Sequence, residues 1–390
     1  AETWQGTELA DDAKYMTGWS YFKAERFRDA IDSYRAFLES EPTSHYRPEA
    51  AYGIADGLYN LKDYEGGAAA YERVIVEFAD SPLVGDAISG LQWCSMQLGD
   101  IERSVKVAET FAQKNPESEL LDDLLMRIGD LWYNNGKFGQ ASNSYRQMIN
   151  SYPDSELSPA AMLWDGRSHL SSIDTTEAVL VWKAMVDKFP SHTLTAQALL
   201  QLGQINLFHS DTLNALNYFQ LINQRFPDHE LSAEAALMSG IALNNLGRSA
   251  KAIAILKPVV EGSSQDVIAQ RSRIIMAVSL SSTGEYEKAL NLVNSVAINR
   301  SDEIGAEAQF TSGRIMSMAG AQDDAIEGYL KVKYLFESYS EWIARAQIEA
   351  ARLLIEKGNK ERARSLLKTV KSAHGSDQWG SEASKLMSKL

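Results

Sequence analysis

Arg26-Phe27-Arg28-Asp29-Ala30-Ile31-Asp32-Ser33-Tyr34-Arg35-Ala36-Phe37 reads as one amphipathic helix, and the chain repeats it. With Ala30 as anchor, steps of 37 residues land on Gly67, Ser104, Ala141, Ala178, Ala215, Ala252 and Ala289. A step of 36 then reaches Ala325 and one of 38 reaches Ala363, so all ten anchors are small. Four residues on stands a bulky residue in nine of the ten (Tyr34, Tyr71, Tyr145, Trp182 and Phe219 among them), with Ala108 the exception. Seven residues on stands an apolar residue each time, from Phe37 to Val370. Spacings of 4 and 7 share one helix face, and a fixed period of this size is the mark of stacked repeats.

A first helix precedes each anchor helix. Twelve residues before the anchor the chain carries Gly or Ala in nine of ten repeats, with Gln92 as the exception. Glycine inside a helix costs about 1 kcal/mol against alanine, so its return at one phase predicts a close helix contact there. Five residues before the anchor, Gly99, Gly136, Gly247, Gly284, Gly320 and Gly358 predict left-handed helix ends. Pro42, Pro116, Pro153, Pro190 and Pro227 close the second helices. Asp154-Ser155 and Asp228 read as helix-start signals beyond those prolines. Pro258 falls inside a second helix and predicts a kink or a shortened helix, ahead of a loop lacking the usual proline. Stripe-forming Trp379, Ala383, Leu386, Met387 and Leu390 predict a capping helix over residues 376–390.

Small, then aromatic in the first helix; small, bulky, apolar in the second; proline after it. This pattern, with Tyr21, Trp132, Ala141, Tyr145 and Pro153 as instances, resembles the tetratricopeptide repeat. The period is longer than the usual 34, and the tryptophan common early in the first helix is replaced by Lys14, Ala51, Ile88 and Leu125. The Tyr152-Pro153-Asp154-Ser155 and Phe78-Ala79-Asp80-Ser81 loops are similar to those of bacterial cell-envelope members, of the outer-membrane assembly lipoprotein and Tol–Pal coordinator type. The resemblance implies an all-α, right-handed superhelical solenoid of about ten helix pairs over residues 11–375, with the cap at 376–390. Residues 1–10 align with the tail of a preceding repeat. It also implies a concave groove lined by first helices. Carried over residue by residue, that groove takes Tyr15, Trp19, Tyr52, Asp56, Tyr59, Trp93, Asp130 and Tyr133 in repeats one to four, with Asp56 and Asp130 facing solvent. Repeats nine and ten turn Arg314, Arg345 and Arg352 inward instead. Aromatics beside acids suit a protein or peptide partner of basic character. Asn60 and Asn134 match only half of the family's carboxylate clamp, so that activity is not carried over.

Composition narrows the rest. The net charge is −14, and residues 1–250 hold 35 acids against 19 bases. Such a chain repels nucleic acid and membrane phosphates. No apolar run nears the roughly 18 residues that span a bilayer. Cys94 is alone, in an apolar helix, and reads as packing. No histidine pair has metal-ligand spacing, and Ser365-Leu366-Leu367-Lys368 is explained by its repeat helix. The sequence therefore predicts a non-catalytic interaction scaffold without cofactors, set in a bacterial periplasm or envelope complex. A self-assembling subunit and a cytoplasmic adaptor are the alternatives.

Overall fold

The structure, a computed structural model, describes residues 8–262, 266–375 and 377–390. Most of the remnant expected over residues 1–10 lies outside them, as does the middle of the loop after Pro258. Every regular element among the described residues is a helix.

The helices divide into two compact units, residues 1–185 and 186–390. In the first, α1 (Glu8–Lys23) pairs with α2 (Phe27–Ser40), α3 (Arg47–Asn60) with α4 (Tyr64–Glu77) and α5 (Val84–Leu98) with α6 (Ile101–Lys114). There follow α7 (Leu121–Asn134) with α8 (Phe138–Ser151), then α9 (Ser158–Ser171) with α10 (Thr175–Lys188), whose last turn passes into the second unit. The second unit continues with α11 (Thr195–Phe208), α12 (Thr212–Arg225), α13 (Ser232–Asn245), α14 (Ser249–Gly262), α15 (Val267–Ser282) and α16 (Tyr286–Asn299). It ends with α17 (Glu303–Met318), α18 (Gln322–Leu335), α19 (Ser340–Glu356), α20 (Lys360–His374) and the single α21 (Gln378–Met387).

The repeat phases explain the packing. All ten anchors are buried, as are all ten residues four positions on. The recurring first-helix glycine is the floor on which that second residue lies. A Cβ on Gly129 would sit 2.4 Å from the Tyr145 ring, and one on Gly203 2.3 Å from the Phe219 ring. Gly166 gives the same room to Trp182, whose indole N–H also donates to the Leu163 carbonyl at 3.2 Å. Repeat three inverts the pair. Ala108 is small, Gln92 is large, and the Gln92 Nε2 is buried without a partner.

Between the two helices of each pair the chain turns through one left-handed residue. Six of these are the glycines expected, with φ of 68–85°. The other four repeats place Glu25, Lys62, Ile173 and Ser210 in the same conformation at the same phase. A second periodic device sits before the first helices. Ser44, Ser81, Ser118 and Ser155 accept, through Oγ, the backbone N–H two residues on, at 3.1–3.3 Å. His192 and His229 do the same through Nδ1 at 3.2 and 3.1 Å. Asp154-Ser155 therefore shapes the loop, and α9 starts later, at Ser158, with no side-chain cap.

Pro258 does not shorten its helix, contrary to expectation. The 14 residues of α14 match the second helices around it. Buried Ala252 and Leu256 hold the first turns, so one lost hydrogen bond does not end it. At the chain's end Asp377 caps α21 by accepting from the Trp379 and Gly380 amides at 2.8 and 3.0 Å. Gly380, Ala383 and Leu386 are buried against the last pair, as a cap requires.

Candidate partner-binding face

Consider the first-helix residue eleven before each anchor. In unit one this position reads Trp19, Asp56, Trp93, Asp130, Arg167. The two acids are not free. The Tyr71 hydroxyl donates to Asp56 Oδ1, and the Tyr145 hydroxyl donates to Asp130 Oδ1 at 2.7 Å. Both tyrosines are the bulky second-helix residue of the same repeat. Burial raises the pKa of both carboxyls above the usual aspartate value, although the phenol bonds pull the other way. This corrects the expectation that Asp56 and Asp130 face solvent. They tie helix pairs together.

The tyrosines are also largely packed. Tyr15 stacks on Tyr46 with ring centroids 4.5 Å apart. Tyr52 meets Tyr71 edge-on at 5.7 Å, and burial followed by Asp56 pushes its hydroxyl up to about 12. Tyr59 lies against Tyr64 at 5.7 Å. Tyr133 touches Phe138 and Trp164 at 5.2 and 5.0 Å, and its hydroxyl shares a 3.2 Å hydrogen bond with Ser171. Trp19 and Trp93 differ. They remain 41% and 54% exposed, and neighbouring Met16 and Met96 are exposed too. Trp93 stands over Ala108 and Trp19 over Tyr34, so a tryptophan at this phase stays exposed with either residue opposite it.

Stepping back seven residues along the same helix face gives a row the sequence reading missed: Asp12, Glu49, Asp86 and Asp123. Steps of 37 from Asp12 would have found it. These acids share the electrostatic environment of the aromatics. Asp12 leads the causes that raise the Tyr46 pKa; burial chiefly raises those of Tyr15, Tyr52 and Asp56, with Glu49 adding to the first and Asp86 to the other two. Asp123 is neutralised by Arg127 at 2.6 Å. Asp86 is exposed and has no ion-pair partner among the described residues, and one Glu49 oxygen is buried without a hydrogen bond.

The inward arginines of repeats nine and ten are mostly occupied. Arg345 lies between Trp342 and Trp379, 4.7 and 4.9 Å from their rings. Arg352 pairs with Glu382 at 2.6 Å and Glu349 at 3.3 Å, and Arg314 is exposed.

One cluster brings a serine, a histidine and acids together, in repeats four and five. Ser142 Oγ is 3.0 Å from His169 Nε2 and donates its proton to buried Asp165 at 2.6 Å. Arg146 can only donate, and it occupies the same Nε2 at 2.8 Å. With a guanidinium at Nε2 and the Ser142 proton directed at Asp165, the serine is not paired with a free imidazole base, and these contacts tie α8 to α9. Cys94 is buried beneath Gly67, and burial pushes its thiol up to about 11. Among the described residues no group of three or more His, Cys, Asp or Glu is placed to hold a metal ion, and no helix is long and apolar enough to cross a membrane.

Two family models described as tetratricopeptide repeats match the chain, over residues 15–82 and 123–155. No curated protein matches the sequence. Among solved structures, the chain is similar to a tetratricopeptide repeat protein from Parabacteroides merdae. Identity is 17% and the TM-score 0.49, over 68% of this chain and 98% of that one. It is similar to PilW, described as a type IV pilus biogenesis factor, at 15% identity and TM-score 0.46 over 60% and 100% of the two chains. Yeast Tom70 is similar at 11% identity and TM-score 0.38 over 98% and 96%. The family models thus place tetratricopeptide repeats in residues 15–82 and 123–155, and the same small–bulky–apolar register recurs in the successive helix pairs of both units.

Proposed function

We propose that the chain is a non-catalytic scaffold whose first-helix face in repeats one to four binds a basic segment of a protein partner. The observation that carries this reading is the exposure of Trp19 and Trp93 at one repeat phase, beside an acidic row in which Asp86 is unpaired. Large aromatics with little rotamer freedom anchor a partner at low entropic cost. The acids speed encounter with Lys/Arg-bearing segments and turn away nucleic acid. Asp56, Asp130, Tyr15, Tyr52, Tyr59 and Tyr133 serve this face by fixing its helices. The long repeat and its Tyr/Phe-x-Asp-Ser loops support a bacterial cell-envelope complex as the setting.

The test is the pair Trp19→Ala/Trp93→Ala and Asp12→Asn/Asp86→Asn, assayed against partners captured from the native organism. Loss of two exposed anchors should weaken binding at least about tenfold, or 1.4 kcal/mol, with melting unchanged. The acid variant should slow association and flatten its salt dependence. Parental affinity in the tryptophan variant would remove this face from consideration.

A further inference from the structure

We propose that the groove beside Pro258 in repeat seven is a second binding site, for the arginine or lysine side chain of a protein partner. It lies in unit two and goes beyond the face proposed above. The groove encloses about 660 Å³, within the range of ligand clefts. Its apolar walls come from Ala236, Ala254, Ile255, Val259 and Ala269. Val259 marks the departure from the repeat pattern. The equivalent residue is buried in the other nine repeats, and here it is only half-buried. Proline supplies no N–H, so the Ala254 carbonyl, four residues back and on the groove wall, loses its helical donor.

The polar groups with unused capacity are mainly acceptors. Asn223 donates both ways through Nδ2, to the Ser232 carbonyl at 2.7 Å and to its Oγ at 2.9 Å. That fixes the amide and leaves Asn223 Oδ1 buried without a partner. Asp228, Glu230 and Asp266 complete the lining, and none has an ion pair among the described residues. Asp266 spends one oxygen on the Ile268 amide at 3.2 Å. Among the described residues, the side-chain donors in the lining that face these are the Ser232 hydroxyl and the Nε2–H of His229, whose Nδ1 is occupied by the Leu231 amide. Apolar walls for a methylene stem, with several acceptors and three carboxylates at the polar end, match a long cationic side chain.

The alanine walls give a direct readout. The full chain, methyl-labelled at alanine, is titrated with the acetylated and amidated tripeptide Leu-Arg-Leu. The control is the same peptide with citrulline, which keeps the stem and loses the charge. The arginine peptide should shift the Ala236, Ala254 and Ala269 methyls and bind at least about tenfold tighter than the control. Asp228→Asn/Glu230→Gln changes only exposed side chains and should cost about tenfold in affinity. Pro258→Ala, which returns a donor to Ala254, should weaken binding as well. Trp19→Ala/Trp93→Ala should leave this titration unchanged, so failure here is separate from failure of the first face. Equal binding of the citrulline peptide would overturn the site. So would unshifted groove methyls at about 1 mM peptide, or full affinity in the folded acid variant.

Discussion

Repeats three and four are adjacent copies of one helix pair, and they use the same positions for opposite ends. In repeat four Gly129 makes room for Tyr145, and the Tyr145 hydroxyl reaches Asp130. In repeat three Gln92 fills that room, Ala108 replaces the tyrosine, and Trp93 is left standing in solvent at the position of Asp130. A position's phase decides where its side chain begins. An aspartate opposite a tyrosine is recruited into the stack through the phenol, as at Asp56 and Asp130, whereas a tryptophan at that phase stays out, opposite Tyr34 in repeat one and Ala108 in repeat three alike.

The comparison breaks most visibly at the glycine. Gly129→Leu drives a side chain into the fully buried Tyr145 ring and should cost about 3 kcal/mol, at the upper end of overpacking. Gln92→Leu, at the same phase, should leave melting unchanged or raise it, since it removes a buried unpaired amide. Equal losses in the two variants would show that the ring contact does not distinguish the repeats. The next largest effect belongs to the acid. Asp130→Ala strands the Tyr145 hydroxyl in a half-buried site and should cost roughly 1–3 kcal/mol, whereas Trp93→Ala should cost less than about 0.5. Thermal melts of both variants decide it.

How much of this was legible follows from what each residue needs. The stack was legible because burial is periodic: the equivalents of Ala30, Tyr34 and Phe37 recur in register and are buried throughout, Val259 alone being half-buried. The candidate face was legible only as a set of positions. Asp56 and Asp130 look alike from the chain and stand with Trp19 and Trp93. Their recruitment depends on a tyrosine fifteen residues on, a separation the sequence repeats twice, at Asp56–Tyr71 and Asp130–Tyr145. The row from Asp12 to Asp123 is hidden because it mixes Asp with Glu49 and lies ahead of the small first-helix residues that carry the repeat signal. His192 and His229 gave no sign of acting as turn acceptors until set beside the serines at the same phase. Pro258 misled because local propensity was weighed without the burial that holds the helix.

The left-handed turn gives a third case of one phase and two residues. Gly136 and Ile173 hold it in successive repeats, at φ 71° and 65°. A β-branched residue is strained there, and Ile173 has no compensating contact in view, being 89% exposed. Ile173→Gly should gain roughly 0.5–1 kcal/mol, the clash relieved less the chain entropy that glycine adds. A lower melting temperature in this variant would assign Ile173 a contact that its exposure does not suggest.

The smallest effect is the sharpest test of what recruitment does to an acid. Burial raises the Asp130 pKa in the folded chain above its ordinary value of 3.8, so the folded state holds this proton more tightly than the unfolded one. For a carboxyl raised in this way, the contribution to stability is fully present only while both states are protonated, below the unfolded pKa of about 4, and it falls once the unfolded state ionises and the folded state does not. It is lost as pH rises from about 4 through the folded pKa, where the buried carboxylate must form. Asp130→Asn keeps an oxygen for the Tyr145 hydroxyl and forms no charge. Asparagine should therefore gain on aspartate as pH rises from about 4 toward 7, and the two should differ by a constant below that window. Trp93→Asp supplies the contrast, since repeat three has Ala108 opposite and no phenol to draw the carboxyl inward. Measured against Trp93→Asn, it should show a difference that does not move with pH over the same range. If the Asp130 pair is equally flat, its carboxyl is solvated, and the phenol bond does not separate repeat four from repeat three.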